Sequence, residues 1–163
     1  MRILVDVRHL KSNELSGVGH YTVQLLRALF QSTPEHTYVL LTSCAGRAPE
    51  RVVSLVKEAK NTEHVHLSIP NKRLNLELLF GIGKPLDIRA GGAVDLVFFP
   101  NLNVVRLSKG LPYVLTVHDI SWKLFPEFFS KKMLLWHAAC RPETLIRNAT
   151  HIITPSTSTQ EDV

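Results

Sequence analysis

Residues 2–7 (RILVDV), 17–32 (GVGHYTVQLLRALFQS) and 37–42 (TYVLLT) decide the fold. The first and third are near-continuous apolar runs of strand length, as in parallel strands covered on both faces. Between them, Val18, Tyr21, Leu25 and Leu29 recur at helical spacing, flanked by Leu26 and Phe30, with Pro34 just past the last turn. Strand, helix, strand is a βαβ unit, which implies a parallel pair joined by a right-handed crossover.

The same alternation continues along the chain. Residues 48–60 read as a helix with Val52, Leu55, Val56 and Ala59 on one face, and 64–69 as a short alternating strand. Residues 73–82 are helical in pattern until Gly81, Gly83 and Pro85 break it. Strands are expected at 94–99 (VDLVFF), 112–118 (PYVLTVH) and 151–154, and a helix over 130–148 with a break or new start at Pro142. The cluster Ser156-Thr157-Ser158-Thr159 reads as the cap of a further helix, with Thr157…Gln160 and Ser158…Glu161 at capping-box spacing. The expectation is a single α/β domain over 1–163, a Rossmann-like doubly wound parallel sheet with helices on both faces. The sequence stops as a helix starts, so a continuation past Val163 is expected.

Composition sets the outer limits. The 163 residues are 45% apolar and 20% charged, enough for one sizeable core. No run approaches the ~20 apolar residues of a membrane span, and Ile3-Leu4-Val5 is too short for a signal-peptide core. A cytoplasmic protein is therefore expected. Cys44 and Cys140 form no CxxC pattern and are read as reduced thiols, and the sequon Asn148-Ala149-Thr150 as chance. A net charge of +5 favours acidic partners such as phosphates or an anionic membrane surface. The cations Lys72, Arg73, Lys84, Arg89, Lys123, Lys131 and Lys132 fall on surface-type segments and make peripheral membrane contact an expectation. They form no basic stripe interleaved with aromatics, so nucleic acid is not expected as a partner.

Ligands of open parallel sheets bind outside the carboxyl ends of the strands. Four candidate places fall there. Ser16-Gly17-Val18-Gly19-His20 brings glycines to a helix start, where free N–H groups and the dipole favour an anion; the plainer reading is a glycine pair that permits helix entry. A dinucleotide fingerprint fails, because the loop from Val7 to Gly17 is long, Thr22 occupies the third glycine position, and Thr42-Ser43 offers no ribose carboxylate. Asn101 and Asn103 can bond sugar hydroxyls or simply shape a turn. His118, leaving the fifth strand beside Asp119, can orient or deprotonate a hydroxyl, or cap a strand end. Thr154-Pro155-Ser156 reads as an ordinary N-cap.

Together these residues resemble a known family. RILVDVRHL…SGVGHYTVQLLRAL resembles the opening of family 4 glycosyltransferases, LPYVLTVHDISWKLFPEFFSKKMLLWH their central strand-and-loop segment, and ATHIITPSTSTQEDV their A-D-x-I-I-T-P-S segment, with His151 where Asp is common. The resemblance implies the N-terminal domain of a GT-B enzyme, which mostly binds the acceptor. The nucleotide-sugar site, an Arg/Lys pair and an E-x7-E motif, would lie beyond Val163 in a second domain or a partner subunit. Gly17 and Gly19 match the glycine loop that faces the donor phosphates and acceptor, and His118 and Asp119 match the histidine near the transferred sugar and its neighbour. The implied reaction moves a hexose from a nucleoside-diphosphate sugar to a hydroxyl of a sugar or lipid-linked acceptor, with retention and without a bound metal or other cofactor. The HDISW…FPE style leans towards mannosyltransferase-like members. The chain alone is expected to be inactive. The alternative is a natural single-domain acceptor-binding subunit that serves a separate catalytic chain.

Overall fold

A computed structural model describes residues 1–11 and 14–163. Part of the loop expected after the first strand, Ser12 and Asn13, lies outside the described residues.

Six strands form one sheet: β1 (Arg2–Asp6), β2 (Thr37–Ser43), β3 (Thr62–Leu67), β4 (Leu96–Phe99), β5 (Tyr113–Thr116) and β6 (His151–Ile153). Every pairing is parallel and the order is β3-β2-β1-β4-β5-β6. This is the Rossmann order, in which the direction of winding reverses between β1 and β4. Val5 sits at the centre, in register with Leu40 on one side and Phe98 on the other. The helices are α1 (Gly17–Ser32), α2 (Glu50–Lys57), α3 (Asn71–Leu79), α4 (Leu86–Arg89), α5 (Ser121–Leu124), α6 (Lys131–Cys140), α7 (Pro142–Asn148) and α8 (Thr157–Asp162), with a 3-10 turn at Pro126–Phe128.

Alternation along the strands divides the core into two layers. Ile3, Val5, Leu40 and Phe98 pack against Val23, Leu26 and Phe30 of α1 and Val52 and Leu55 of α2. Leu4, Val39, Leu41, Val97, Phe99 and Leu115 pack against Leu74 and Leu78 of α3, Leu86 of α4 and Cys140 of α6. Each such aliphatic side chain, fully buried, contributes about 1.5–3 kcal/mol. Both cysteines are unpaired, and burial pushes the Cys140 thiol up to about 12, so it is inert.

The expected elements are present with shifted ends. α1 runs over the expected residues because Ser16 caps it, accepting from Gly19 N at 3.3 Å. α2 is shorter than 48–60: it starts after Pro49, and Thr62 Oγ1 donates to Val56 O and Ala59 O at its end. β3 starts at Thr62, two residues early, and α3 at Asn71 after Pro70. The break expected at Pro142 is made by Arg141, whose φ of 50° and ψ of 54° stop α6 before α7 begins. α8 does not use either capping box. Its cap is Ser156, which accepts from Thr159 N at 3.2 Å, and Thr159 therefore occupies the position a box gives to Glu or Gln. The short helices α4 and α5 and the 3-10 turn carry too few residues for a periodic signal.

Candidate functional site

The reversal of winding between β1 and β4 opens a crevice at the carboxyl ends of the strands. Into this edge run the segment after β1, the N-terminus of α1, the residues after β4 and those after β5. A cleft of about 300 Å3 lies there, lined by Val18 of α1, Asn101 and Leu102 after β4, and His118 and Asp119 after β5. Its other wall is Ser121 and Trp122 of α5, Phe129, and Trp136 and His137 of α6.

His118 is held in one tautomer. Its Nε2 lies 2.8 Å from Pro100 O, which only accepts, so Nε2 carries the hydrogen and the neutral ring keeps a lone pair on Nδ1. The Tyr21 ring meets it edge to face at 4.9 Å. The backbone is tied too: Thr159 Oγ1 donates to His118 O at 3.1 Å, joining α8 to the strand end. Asp119 is exposed, and its Oδ1 accepts from Ser121 N at 2.9 Å, a turn that starts α5 and leaves the second oxygen to the cleft.

At the start of α1 the three glycine-loop residues differ in their surroundings. Gly17 is exposed, and a side chain there would meet nothing within 4 Å. Gly19 is buried, and a Cβ would stand 2.8 Å from Leu15 Cδ2. Its amide is already bound to the Ser16 hydroxyl, and His20 N to Ser16 O. Among the described residues Gly17 N and Val18 N have no hydrogen-bond acceptor, so these are the two amides there that can receive an anion.

The two asparagines part ways. Asn101 lines the cleft. Asn103 turns inward, donating from Nδ2 to Asp6 Oδ2 at 3.3 Å and accepting from Val104 N at 2.9 Å.

Two features escaped the sequence reading. The first is a buried ion pair at the end of β1. Arg8 grips Asp6 with Nε to Oδ1 at 2.8 Å and Nη2 to Oδ2 at 2.7 Å, with side chains 0% and 3% exposed. Its remaining donors reach Val104 O and Asn75 Oδ1. Burial pushes the Asp6 carboxyl up, but the charge of Arg8 and its hydrogen bonds outweigh this and hold it below the usual carboxylate range. The neighbouring His9 donates to Thr22 Oγ1 at 2.9 Å, since that hydroxyl gives its own proton to Val18 O. Burial, with smaller contributions from His118 and Arg8, keeps His9 below its ordinary pKa against the pull of Asp6.

The second feature is the aromatic wall. Trp122 stacks on His137 at 5.0 Å and 12°, while Trp136 and Phe129 meet His137 edge-on at 5.0 and 6.2 Å. Trp122 Nε1 and His137 Nδ1 are buried without a hydrogen-bond partner. Burial lowers the His137 pKa, and Asp119 opposes it only in part, so the ring is neutral near pH 7. The two lone indications in the sequence were Trp122 and Trp136 themselves, the chain's only tryptophans.

A roomier groove of about 610 Å3 between α1 and α2 is lined by Arg27, Glu50, Arg51 and Glu58 and holds none of the strand-end groups. Among the described residues no cluster of three or more His, Cys, Asp and Glu side chains is placed to hold a metal ion.

An open Rossmann-like domain with a crevice at its winding reversal, walled by a helix N-terminus, a fixed histidine and aromatic rings, belongs to the α/β class whose ligands bind outside the carboxyl ends of the strands. Residues 15–163 match the model of the family described as Glycosyltransferase Family 4, and the chain belongs to that family. No curated protein and no solved structure gives a significant match. The all-parallel six-stranded sheet is consistent with the N-terminal domain of a GT-B glycosyltransferase.

Proposed function

We propose that this chain forms the acceptor-side wall of a retaining transferase that moves a hexose from a nucleoside-diphosphate sugar to an acceptor hydroxyl. One observation carries the reading: Val18, Asn101, His118 and Asp119 gather in a single cleft with an aromatic wall, at the strand-end crevice of a family 4 domain. The apolar face of a sugar ring packs against Trp136 and Phe129, and its hydroxyls reach Asn101 Oδ1 or Nδ2, the free oxygen of Asp119 and the lone pair on His118 Nδ1. His118 thus orients a hydroxyl at the reacting centre and helps stabilise its developing positive charge; it does not act as a simple base. The leaving diphosphate gains charge as the glycosidic bond breaks, and the amides of Gly17 and Val18 face it at the positive end of α1. Within this reading, the resemblance of the HDISW…FPE segment to mannosyltransferase-like members leans towards a mannosyl donor.

This reading assigns the cations that hold the diphosphate to a second domain or a partner subunit. Across residues 13–24 the only potentially cationic side chain is His20. Backbone donors alone compete poorly with water, because each hydrogen bond is worth only ~1 kcal/mol net. Calorimetric titration of the chain with UDP- and GDP-sugars is therefore expected to show millimolar binding or none, with no transfer and no donor hydrolysis. Micromolar binding or turnover would put the donor site within these residues and overturn the division of labour.

A further inference from the structure

Two residues of the strand-end cleft, Trp122 and His137, take no part in the contacts assigned above to the acceptor, and each carries a buried nitrogen with no hydrogen-bond partner: Trp122 Nε1 and His137 Nδ1. Unpaired buried polar atoms are uncommon in folded proteins, and each calls for a reason. The His137 ring is clamped. Trp122 lies flat on it, with ring centres 5.0 Å apart and planes 12° apart, and Trp136 and Phe129 stand edge-on to it.

The burial decides where the single hydrogen of the neutral imidazole sits. On Nδ1 it would be an N–H buried without an acceptor, beside an indole N–H already in that state. Orphaned buried N–H groups are rarer than unsatisfied acceptors, so Nδ1 keeps a bare lone pair and Nε2 carries the hydrogen. The lowered His137 pKa fits this, because a second proton would have to enter at the buried Nδ1. His137 lines the cleft while its Nδ1 is buried, so Nε2–H is on the open side. His118 faces the other way: it gives its Nε2–H to Pro100 O and keeps the lone pair on Nδ1. The two histidines thus share a tautomer and present opposite polarity, His118 as acceptor and His137 as donor.

We infer that His137 is a specificity-determining residue of the cleft: its Nε2–H donates to one hydroxyl oxygen of the bound ring, while His118 Nδ1 accepts from another hydroxyl. The inference rests on the acceptor reading and narrows the ligand to a neutral polyhydroxylated ring. A carboxylate would meet the charge of Asp119 in the same cleft, and an ammonium has no lone pair to offer His137. Long-range nitrogen–proton correlation spectra of the isotope-labelled chain near neutral pH read both tautomers without any ligand. The expected result is the hydrogen on Nε2 in His118 and in His137; a hydrogen on His137 Nδ1 would overturn the inference. The variant His137→Phe keeps a flat ring on Trp122 and removes both nitrogens. Its affinity for methyl glucoside and methyl mannoside is expected to fall about 3- to 10-fold, the loss of one hydrogen bond. Its urea midpoint should stay level or rise, because the orphaned lone pair leaves with the imidazole. A residue that only packs gives the reverse, a lower midpoint with unchanged affinity. If the native chain binds these glycosides and His137→Phe binds them equally well, this inference alone fails. If the native chain binds neither, the acceptor reading fails and this inference with it.

Discussion

Replacing Arg8 by methionine is expected to destabilise the fold by about 3–5 kcal/mol, because it leaves the Asp6 carboxylate buried without its partner. That is a large share of the stability of a domain this size. Arg8 also holds Val104 O and Asn75 Oδ1, so the segment after β4 and the middle of α3 lose their side-chain tie to the end of β1 together. The double variant Asp6→Leu/Arg8→Met removes the stranded charge and is expected to recover part of the loss; urea denaturation reads both. The pH dependence follows from the sign of the shift. In the native chain Asp6 has a folded pKa below its unfolded value of about 3.9. The pair's stabilisation is therefore complete above the unfolded value and fades as pH falls through the lower folded one. In Arg8→Met the unpaired carboxyl is raised instead, so that variant regains stability relative to the native chain as pH falls. A loss below about 1 kcal/mol at neutral pH would show that the pair is dispensable.

The second large effect concerns turnover. In the transferase completed by its donor-binding half, His118→Ala is expected to lower kcat on the order of 10²–10³-fold, as for the loss of one group aimed at developing charge. The fold should suffer far less. The variant loses the bond from Nε2 to Pro100 O and the edge contact with Tyr21, worth about 1–2 kcal/mol together. A kcat drop with a nearly unchanged unfolding midpoint separates the two roles, and equal activity in the variant would reduce His118 to a strand-end cap.

The sheet was legible because its signals are local. Ile3-Leu4-Val5 and Tyr38-Val39-Leu40-Leu41 read as covered strands without reference to anything distant, and Ser16 and Pro34 bracket α1 within its own neighbourhood. The candidate site was legible where it follows from topology: residues after β4 and β5 must share an edge with α1, and Val18, Asn101, His118 and Asp119 do share one cleft. What escaped depends on contacts far along the chain. Asp6 and Arg8 stand only two residues apart, but nothing local says that the pair is buried and completed by Asn75, Val104 and Asn103, which lie 67 to 97 residues away. Asn103 could not be told from Asn101 for the same reason. The aromatic wall combines α5, the residue after a 3-10 turn, and α6, so Trp122, Phe129, Trp136 and His137 fall on no common period.

The central claim is that an acceptor sugar binds in the strand-end cleft, and NMR titration of the isotope-labelled chain with simple hexoses and their glycosides tests it most directly. The expected result is a saturable set of shifts at the Trp122 and Trp136 indole N–H groups, at the His118 and His137 rings, and at the amides of Val18, Asn101 and Asp119. Shifts confined to the groove lined by Arg27, Glu50 and Glu58, or none at the aromatic wall at concentrations that saturate other residues, would contradict it.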